Sequence, residues 1–413
     1  MIKRFCWSCF FIAYLLYNSS SALVGQVADL AVPRNADQIE FPFRYENNFI
    51  VVDLLFNGFL PLHFIFDTGA SHTILTKREI SDLLQIDYKR RFNVMGADME
   101  TELTAYLAQG ISMRIKGFRA INRSILVLDD DYFRFEEFVG VNIHGILGAD
   151  IFRRFVVKID YRRKRITLYK PRYFEPPEDF VELPVTITKT KPYLLANTIF
   201  GDSITADVKL LMDTGANLPF LLHTNTHPNL KLPENVIRSQ FGAGLGGELE
   251  GFVGRIQRLD IEGMSFNNLI TTFQEVSPDM DSTFLNQRNG LIGNPVLSRF
   301  TIIMDYVREK CYVKPNKKFK QSFKYDRSGL LLAASGPRLD EYIIYGIVPN
   351  SPADEAGLQI GDKLLKVNWW PAGFYSLQGI TNKLQGRIGK KIKMKVKRNG
   401  ETLKFRFRLR DLI

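Results

Sequence analysis

Residues 64–75 read FIFDTGASHTIL and residues 210–222 read LLMDTGANLPFLL, so an Asp-Thr-Gly-Ala turn follows an apolar run twice, at Asp67 and at Asp213. A second pair of segments keeps almost the same offset. GILGADIFRRFVVKIDYRRKRITLY at 145–169 aligns without gaps on GLIGNPVLSRFTIIMDYVREKCYV at 290–313, matching Gly145 with Gly290, Gly148 with Gly293, Phe155 with Phe300 and Asp160 with Asp305. Between these anchors GADMETEL, at 96–103, aligns with GAGLGGEL, at 242–249. Three anchors in one order imply a duplicated unit of roughly 130 residues. Two copies make two lobes about a pseudo-twofold axis, which would bring Asp67 and Asp213 together.

The chain has 413 residues, 45% of them hydrophobic, which is ample for two or three cores. Short alternating runs rich in aromatic and β-branched residues predict a mainly β protein. Asn57-Gly58 between two β-prone runs predicts a hairpin. Thr76 and Glu79 stand at capping-box spacing before a short helix. The Pro-rich, acidic stretch 171–184 reads as a linker between lobes. The first residues carry Lys3 and Arg4, an apolar run and then small residues, the layout of a secretory signal peptide over 1–22. Its removal leaves Cys311 as the sole thiol and no later run long enough to span a bilayer. The expected location is therefore secreted or periplasmic.

Either Asp-Thr-Gly alone is ordinary turn chemistry, with Asp capping local amides and Gly accepting positive φ. Two such turns facing each other are different. Two carboxylates within hydrogen-bond reach cannot easily both ionise, so the pair shares a proton. The ionised member serves as general base on a water between them, and the protonated member polarises a carbonyl oxygen. Thr68 and Thr214 can bond across the lobe interface, and Gly69 and Gly215 let their amides approach the carboxylates.

On these residues the chain resembles a single-chain retropepsin-like aspartic protease over roughly 40–315. In that family an Asp-Thr-Gly-Ala turn is paired with a later hydrophobic-hydrophobic-Gly strand, here GILGAD at 145–150 and GLIGNP at 290–295. The resemblance implies a lobe at 40–170, a second at 183–315, a catalytic dyad of Asp67 and Asp213, and a cross-lobe grip of Thr68 and Thr214. Ala70 and Ala216 follow the turns, as in retropepsins, where pepsin-like enzymes often carry a hydroxyl. Lacking that donor, the dyad should titrate higher and work best near a mildly acidic pH of roughly 5–6.5. Two flaps are implied, one at Gly96 and one at Gly244, Gly246 and Gly247. Both acids lie in one chain, so a monomer suffices for catalysis.

Residues 325–413 resemble a PDZ domain of the bacterial type, through NSPADEAGLQIGDKLLKVN at 350–368. Such domains hold a peptide's terminal carboxylate in a glycine-bearing loop while the peptide adds a strand to the sheet edge. SGLLLAAS at 328–335 takes that place, assigning peptide binding to Gly329, Leu330, Leu331 and Leu332, though only Gly329 keeps the glycine pattern. Trp369 and Trp370 are assigned to the core of this domain.

The formal net charge of +11 hints at an acidic partner or a membrane surface. The C-terminal run KKIKMKVKRNGETLKFRFRLR reads as a hairpin with one cationic face, its lysines guarding a solvated strand against edge pairing, so no nucleic-acid partner is expected. His223 and His227 have metal-like spacing but lack further ligands in a recognisable pattern, and no metal or cofactor is expected. Two functions from different classes follow. One is an aspartic endopeptidase whose PDZ domain recruits substrate or regulates. The other is a non-catalytic scaffold that binds peptides through the PDZ domain.

Overall fold

The computed structural model of the chain describes residues 30–31, 33, 36–95, 102–200, 204–244, 247–276 and 288–413. The segment 1–22 and the flap positions Gly96 and Gly246 lie outside the described residues. The fold is mainly β, in four sheets. The first repeat builds one sheet from Leu30–Ala31 to Gly145–Leu147, and the second builds another from Val185–Thr188 to Gly290–Ile292. Between them lies a shared sheet in the order Val181–Leu183, Lys310–Pro315, Phe300–Asp305, Val156–Asp160, Arg165–Tyr169, Gln38–Pro42. At its centre the two repeats pair antiparallel, and Lys158 lies opposite Ile303, its own counterpart in the aligned repeat. The pseudo-twofold axis therefore passes through the shared sheet. One apolar core, including Phe41, Phe66, Phe152, Phe220, Ile302 and Met304, runs through both lobes.

Asn57 and Gly58 both adopt positive φ, +46° and +85°, and close the hairpin between Phe49–Phe56 and Leu60–Phe66. With Phe59 they make a three-residue connection between the paired ends Phe56 and Leu60. The capping box does not form. The helix Arg78–Leu83 begins after Lys77 without a side-chain cap. Thr76 is buried, and its N–H donates to the His144 carbonyl oxygen at 2.9 Å, so its hydroxyl is drawn inward, away from the helix start. The expected linker is also partly structured. Val181–Leu183 pairs with Lys310–Pro315 and adds an outer strand to the shared sheet.

The last module has its own sheet, ordered Leu330–Ser335, Glu341–Ile347, Lys363–Val367, Lys391–Arg398, Glu401–Arg408, with Trp370–Pro371 beside Lys363–Val367. Its separate core includes Tyr342, Ile344, Val367, Leu377 and Ile380. The helix Leu377–Leu384 is capped by Ser376, whose hydroxyl accepts from the Gly379 N–H. Just before Lys363–Val367 the buried Asp362 is held by Arg398 through Nε at 2.6 Å and Nη2 at 2.7 Å. Trp369 and Trp370 are not in this core: they are 76% and 58% exposed. Asn368 takes positive φ in the tight turn between Val367 and Trp370, and Val367 and Ala372 fill the space beneath.

Candidate active site

Each DTGA aspartate sits where three chain segments cross. Leu60–Phe66 runs into Asp67, and Thr205–Met212 runs into Asp213. Beside each lies a short strand, Gly145–Leu147 or Gly290–Ile292, parallel to the incoming strand and antiparallel to the outgoing Ile74–Leu75 or Phe220–His223. The Asp67 N–H donates to the Leu147 carbonyl oxygen at 3.1 Å, and the Asp213 N–H to that of Ile292 at 2.9 Å. The crossing is narrow. A Cβ on Gly145 would overlap the Ile74 carbonyl oxygen, and one on Gly290 that of Leu221, so both strands must open with glycine.

The two turns are locked together by four hydrogen bonds. Thr68 Oγ1 donates to the Met212 carbonyl oxygen at 2.6 Å, and Thr214 Oγ1 to that of Phe66 at 2.8 Å. In return Thr214 Oγ1 accepts from the Thr68 N–H at 3.0 Å, and Thr68 Oγ1 from the Thr214 N–H at 3.1 Å. Both threonines are buried, so each bond replaces contact with water in a dry interface.

The clasp brings Asp67 and Asp213 into hydrogen-bond contact. Asp67 Oδ1 accepts from the N–H groups of Gly69 at 2.6 Å and Ala70 at 3.2 Å, and Asp213 Oδ1 from Gly215 at 2.8 Å. A Cβ on Gly69 would stand 2.8 Å from Asp213 Cγ, and one on Gly215 would overlap the Asp67 carboxyl. Each glycine thus lets its turn slide against the carboxylate of the other lobe. Burial, then the charge of Asp213, holds the Asp67 carboxyl well above the ordinary carboxylate range. Two amide donors on one oxygen and a charge–charge repulsion oppose each other here, and the repulsion and burial prevail.

The symmetry is broken around the dyad. Lys191 is near enough for both aspartates to act on its ammonium, which burial and then Arg288 pull below its ordinary value. Arg288 feels Asp213 in the same way. Neither cation belongs to the DTGA or Gly-strand motifs, and sequence reasoning missed both. The signal that could have found Lys191 is the repeat itself, which sets it opposite the buried Phe49 of the first copy. Ser71 Oγ donates to the Lys189 carbonyl oxygen at 3.2 Å, while its counterpart Asn217 accepts from Asn48 Nδ2 at 3.4 Å. Behind the second turn, Asn294 is fully buried, donates through Nδ2 to the Thr214 carbonyl oxygen at 2.5 Å and accepts from the Tyr161 hydroxyl at 2.6 Å. Behind the first, Thr73 donates to Asp150, whose carboxyl burial raises to about 6.

The flap segments are hairpin stems, Tyr88–Met95 with Glu102–Ile115 and Ile237–Gly244 with Gly247–Ile261. Gly244 pairs with Gly247 at the end of the second. His223 and His227 do not converge: His223 is buried and held neutral, pushed down to about 3 by burial, while His227 Nδ1 accepts from the Asn229 N–H at 3.1 Å.

In the last module Gly329 adopts φ +82° at the mouth of the edge strand Leu330–Ser335. Its loop amides already have acceptors. Asp326 Oδ1 accepts from the N–H groups of Ser328 and Gly329, both at 2.8 Å, and Ser328 Oγ from that of Leu330 at 3.2 Å. The donors of this loop are thus already taken by the chain's own carboxylate and hydroxyl. Leu330 is buried, and Leu331 and Leu332 are half-buried beside a bulge in the strand. Against this edge lies a piece of the first lobe, the short helix Phe135–Val139, with Cα atoms within 8 Å of Leu330–Ser335. Phe138 meets Tyr345 edge-on, ring centroids 5.4 Å apart, and a Cβ on Gly140 would stand 3.1 Å from Leu377 Cβ.

Residues 52–151 match the family model described as aspartyl protease, and residues 343–398 match the model described as PDZ domain. No curated protein matches the chain. Among solved structures the chain is similar to the crystal structure of Basic 7S globulin from soybean, with 10% sequence identity over 70% of this chain and 99% of that one, at a TM-score of 0.43. The protease match covers the first lobe, and the second lobe is tied to it by the internal repeat. On one chain, therefore, an aspartyl protease domain stands ahead of a C-terminal PDZ domain.

Proposed function

We propose that this chain is a secreted or periplasmic aspartic endopeptidase that hydrolyses peptide bonds with water activated between Asp67 and Asp213. The observation that carries this reading is the four-bond clasp of Thr68 and Thr214, which sets the two carboxylates against each other. The same clasp fixes both glycine amides against the carboxylates, which catalysis needs and a scaffold that binds peptides elsewhere does not. In the proposed reaction the pair holds one proton. The ionised carboxylate takes a proton from the water as its oxygen attacks the scissile carbonyl carbon, and the protonated one donates to the carbonyl oxygen. The tetrahedral intermediate collapses as the leaving nitrogen is protonated from the pair. Fixed amides and a dry clasp supply preorganised electrostatics. Both halves lie in one chain, so a monomer suffices.

The experiment is a diverse peptide library incubated with wild type and with Asp213→Asn, from acid to neutral pH. Cleavage by wild type that falls about a thousandfold or more in the variant supports the dyad. Peptide binding without cleavage by either protein would instead support the scaffold reading.

For the PDZ domain we favour regulation over simple substrate recruitment. A peptide adding a strand to Leu330–Ser335 would meet the helix Phe135–Val139 already lying there. That helix also lies beside the flap strand Ile237–Gly244, and its Phe138 carbonyl oxygen accepts from Asn47 Nδ2 at 2.5 Å. The next residue, Asn48, donates to Asn217, just past the second DTGA turn. A peptide that displaces the helix would therefore act on both the flap and the active-site turn. Because Asp326 fills the loop, the fitting ligand is an internal strand rather than a free C-terminus.

A further inference from the structure

We propose that the outer face of the C-terminal hairpin, Lys391–Arg398 with Glu401–Arg408, docks on an anionic membrane surface. Three like-charged pairs stand directly opposite each other across this hairpin: Lys391 with Arg408, Lys393 with Arg406, and Lys395 with Lys404. On the other side of the same strand Lys366 faces Lys395. The intervening Ile392, Met394 and Val396 are buried, so the cations share the solvent face. Among the described residues none of these cations makes an ion pair. Like charges directly opposite destabilise a sheet, so an anionic partner on this face would relieve the repulsion.

Guarding an edge accounts for only part of the pattern. Lysines protect strands at the rim of a sheet, and Glu401–Arg408 is such a strand. Lys391–Arg398 is interior over most of its length: Met394–Lys397 pair with Lys363–Val367 on one side, Asn368 bonds Lys393 on that same side, and Glu401–Arg408 lies along the other. Lys393, Lys395 and Lys397 therefore guard no edge.

The kind of partner follows from the neighbouring turn. Trp369, Trp370 and Phe374 are 76%, 58% and 75% exposed. Lys393 Nζ lies 5.1 Å from the centre of the Trp369 ring. Asn368 fastens this turn to the cationic strand, accepting from the Lys393 N–H at 3.0 Å and donating its own N–H to the Lys393 carbonyl oxygen at 2.7 Å. Exposed tryptophans at the margin of a cationic face suit a bilayer, where rings enter the headgroup layer and lysines meet anionic lipid. A single-stranded nucleic acid would need aromatic platforms spaced along the charged track. Here the rings gather at one corner of it.

The test is sedimentation of the full chain with vesicles of phosphatidylcholine alone, or with about 30% phosphatidylglycerol. Because the apolar N-terminal stretch could partition into either vesicle, the quantity read is the difference between the two lipids. We expect binding at least tenfold tighter to the anionic vesicles, lost on raising salt to about 0.5 M. The double charge reversal Lys393→Glu with Arg406→Glu should abolish the difference. Trp369→Ala with Trp370→Ala should weaken binding about tenfold while keeping its dependence on anionic lipid. Equal binding to both vesicles, or none to either, overturns the proposal, and so does tight binding to heparin or DNA with no preference for anionic vesicles. The wild-type lipid and salt series decides the matter even if a variant folds poorly.

Discussion

Lys191 occupies in the second lobe the place that Phe49 holds in the first: Val51 pairs with Ile65 and Tyr193 with Leu211, each partner two residues before its aspartate. An ammonium there favours the ionised dyad and opposes the burial and the Asp213 charge that raise Asp67. The proposed mechanism requires one proton on the pair, so activity should fall on the acid side when both carboxyls are protonated and on the alkaline side when both ionise. Removing the cation raises both limits. Lys191→Gln should therefore move the whole kcat/KM profile to higher pH, by roughly half a unit or more, and a profile that stays in place would deny Lys191 this role. The threonines act differently. Thr68→Val takes the hydroxyl donor from the Met212 carbonyl oxygen and the acceptor from the Thr214 N–H. Each buried group left unpaired costs about 1–3 kcal/mol. Thr68→Ser should recover most of that loss in thermal unfolding, and should recover activity with it, because Ser keeps the same oxygen.

At the scale of elements, the site depends on two strands of three residues threaded between longer ones. Gly290–Ile292 is squeezed between Thr205–Met212 and Phe220–His223, with the Leu221 carbonyl oxygen where a Cβ of residue 290 would stand. Gly290→Ala must push Phe220–His223 aside or withdraw the strand whose Ile292 carbonyl oxygen holds the Asp213 N–H. We expect a loss of about 3 kcal/mol or more, at the upper end of overpacking costs, and lower activity even well below the unfolding midpoint. Denaturant unfolding with peptidase assays on the folded fraction separates the two effects. The failed capping box belongs to this scale as well. Thr76 and Glu79 have the right spacing, but the backbone of Thr76 is spent on His144 before the helix begins. Local pattern yields where a longer-range bond claims the same residue.

At the scale of the molecule, the helix Phe135–Val139 joins the PDZ edge, the second flap stem and the turn at Asn47–Asn48. An edge-to-face aromatic pair is worth about 0.5–1.5 kcal/mol beyond its buried area. Phe138→Ala should thus raise the affinity of the PDZ domain for an added strand-forming peptide roughly two- to tenfold. Titration calorimetry measures this, and peptidase rates with and without the peptide show whether the effect reaches the dyad. If peptide affinity is unchanged in the variant, the helix does not compete for the edge.

Much of this protein was legible in its sequence because duplication makes a signal that composition cannot imitate. Two DTGA turns and two Gly strands in one order pointed to two lobes and to the residues to watch, since each motif is local and its chemistry needs those side chains at that spacing, while short alternating runs of aromatic and β-branched residues pointed to the mainly β class. The fused PDZ module was legible for the same reason, through one contiguous turn–helix–turn segment. Contacts that fall outside the repeated motifs were not. The cations beside the dyad, Asp326 filling the loop at Gly329, the helix against the PDZ edge and the outward turn of Trp369 and Trp370 depend on which surfaces meet once the lobes have folded. Each side chain taken alone was compatible with a bland role, and only tertiary structure decides between such roles, because packing and Coulomb energies depend on distances in space rather than along the chain.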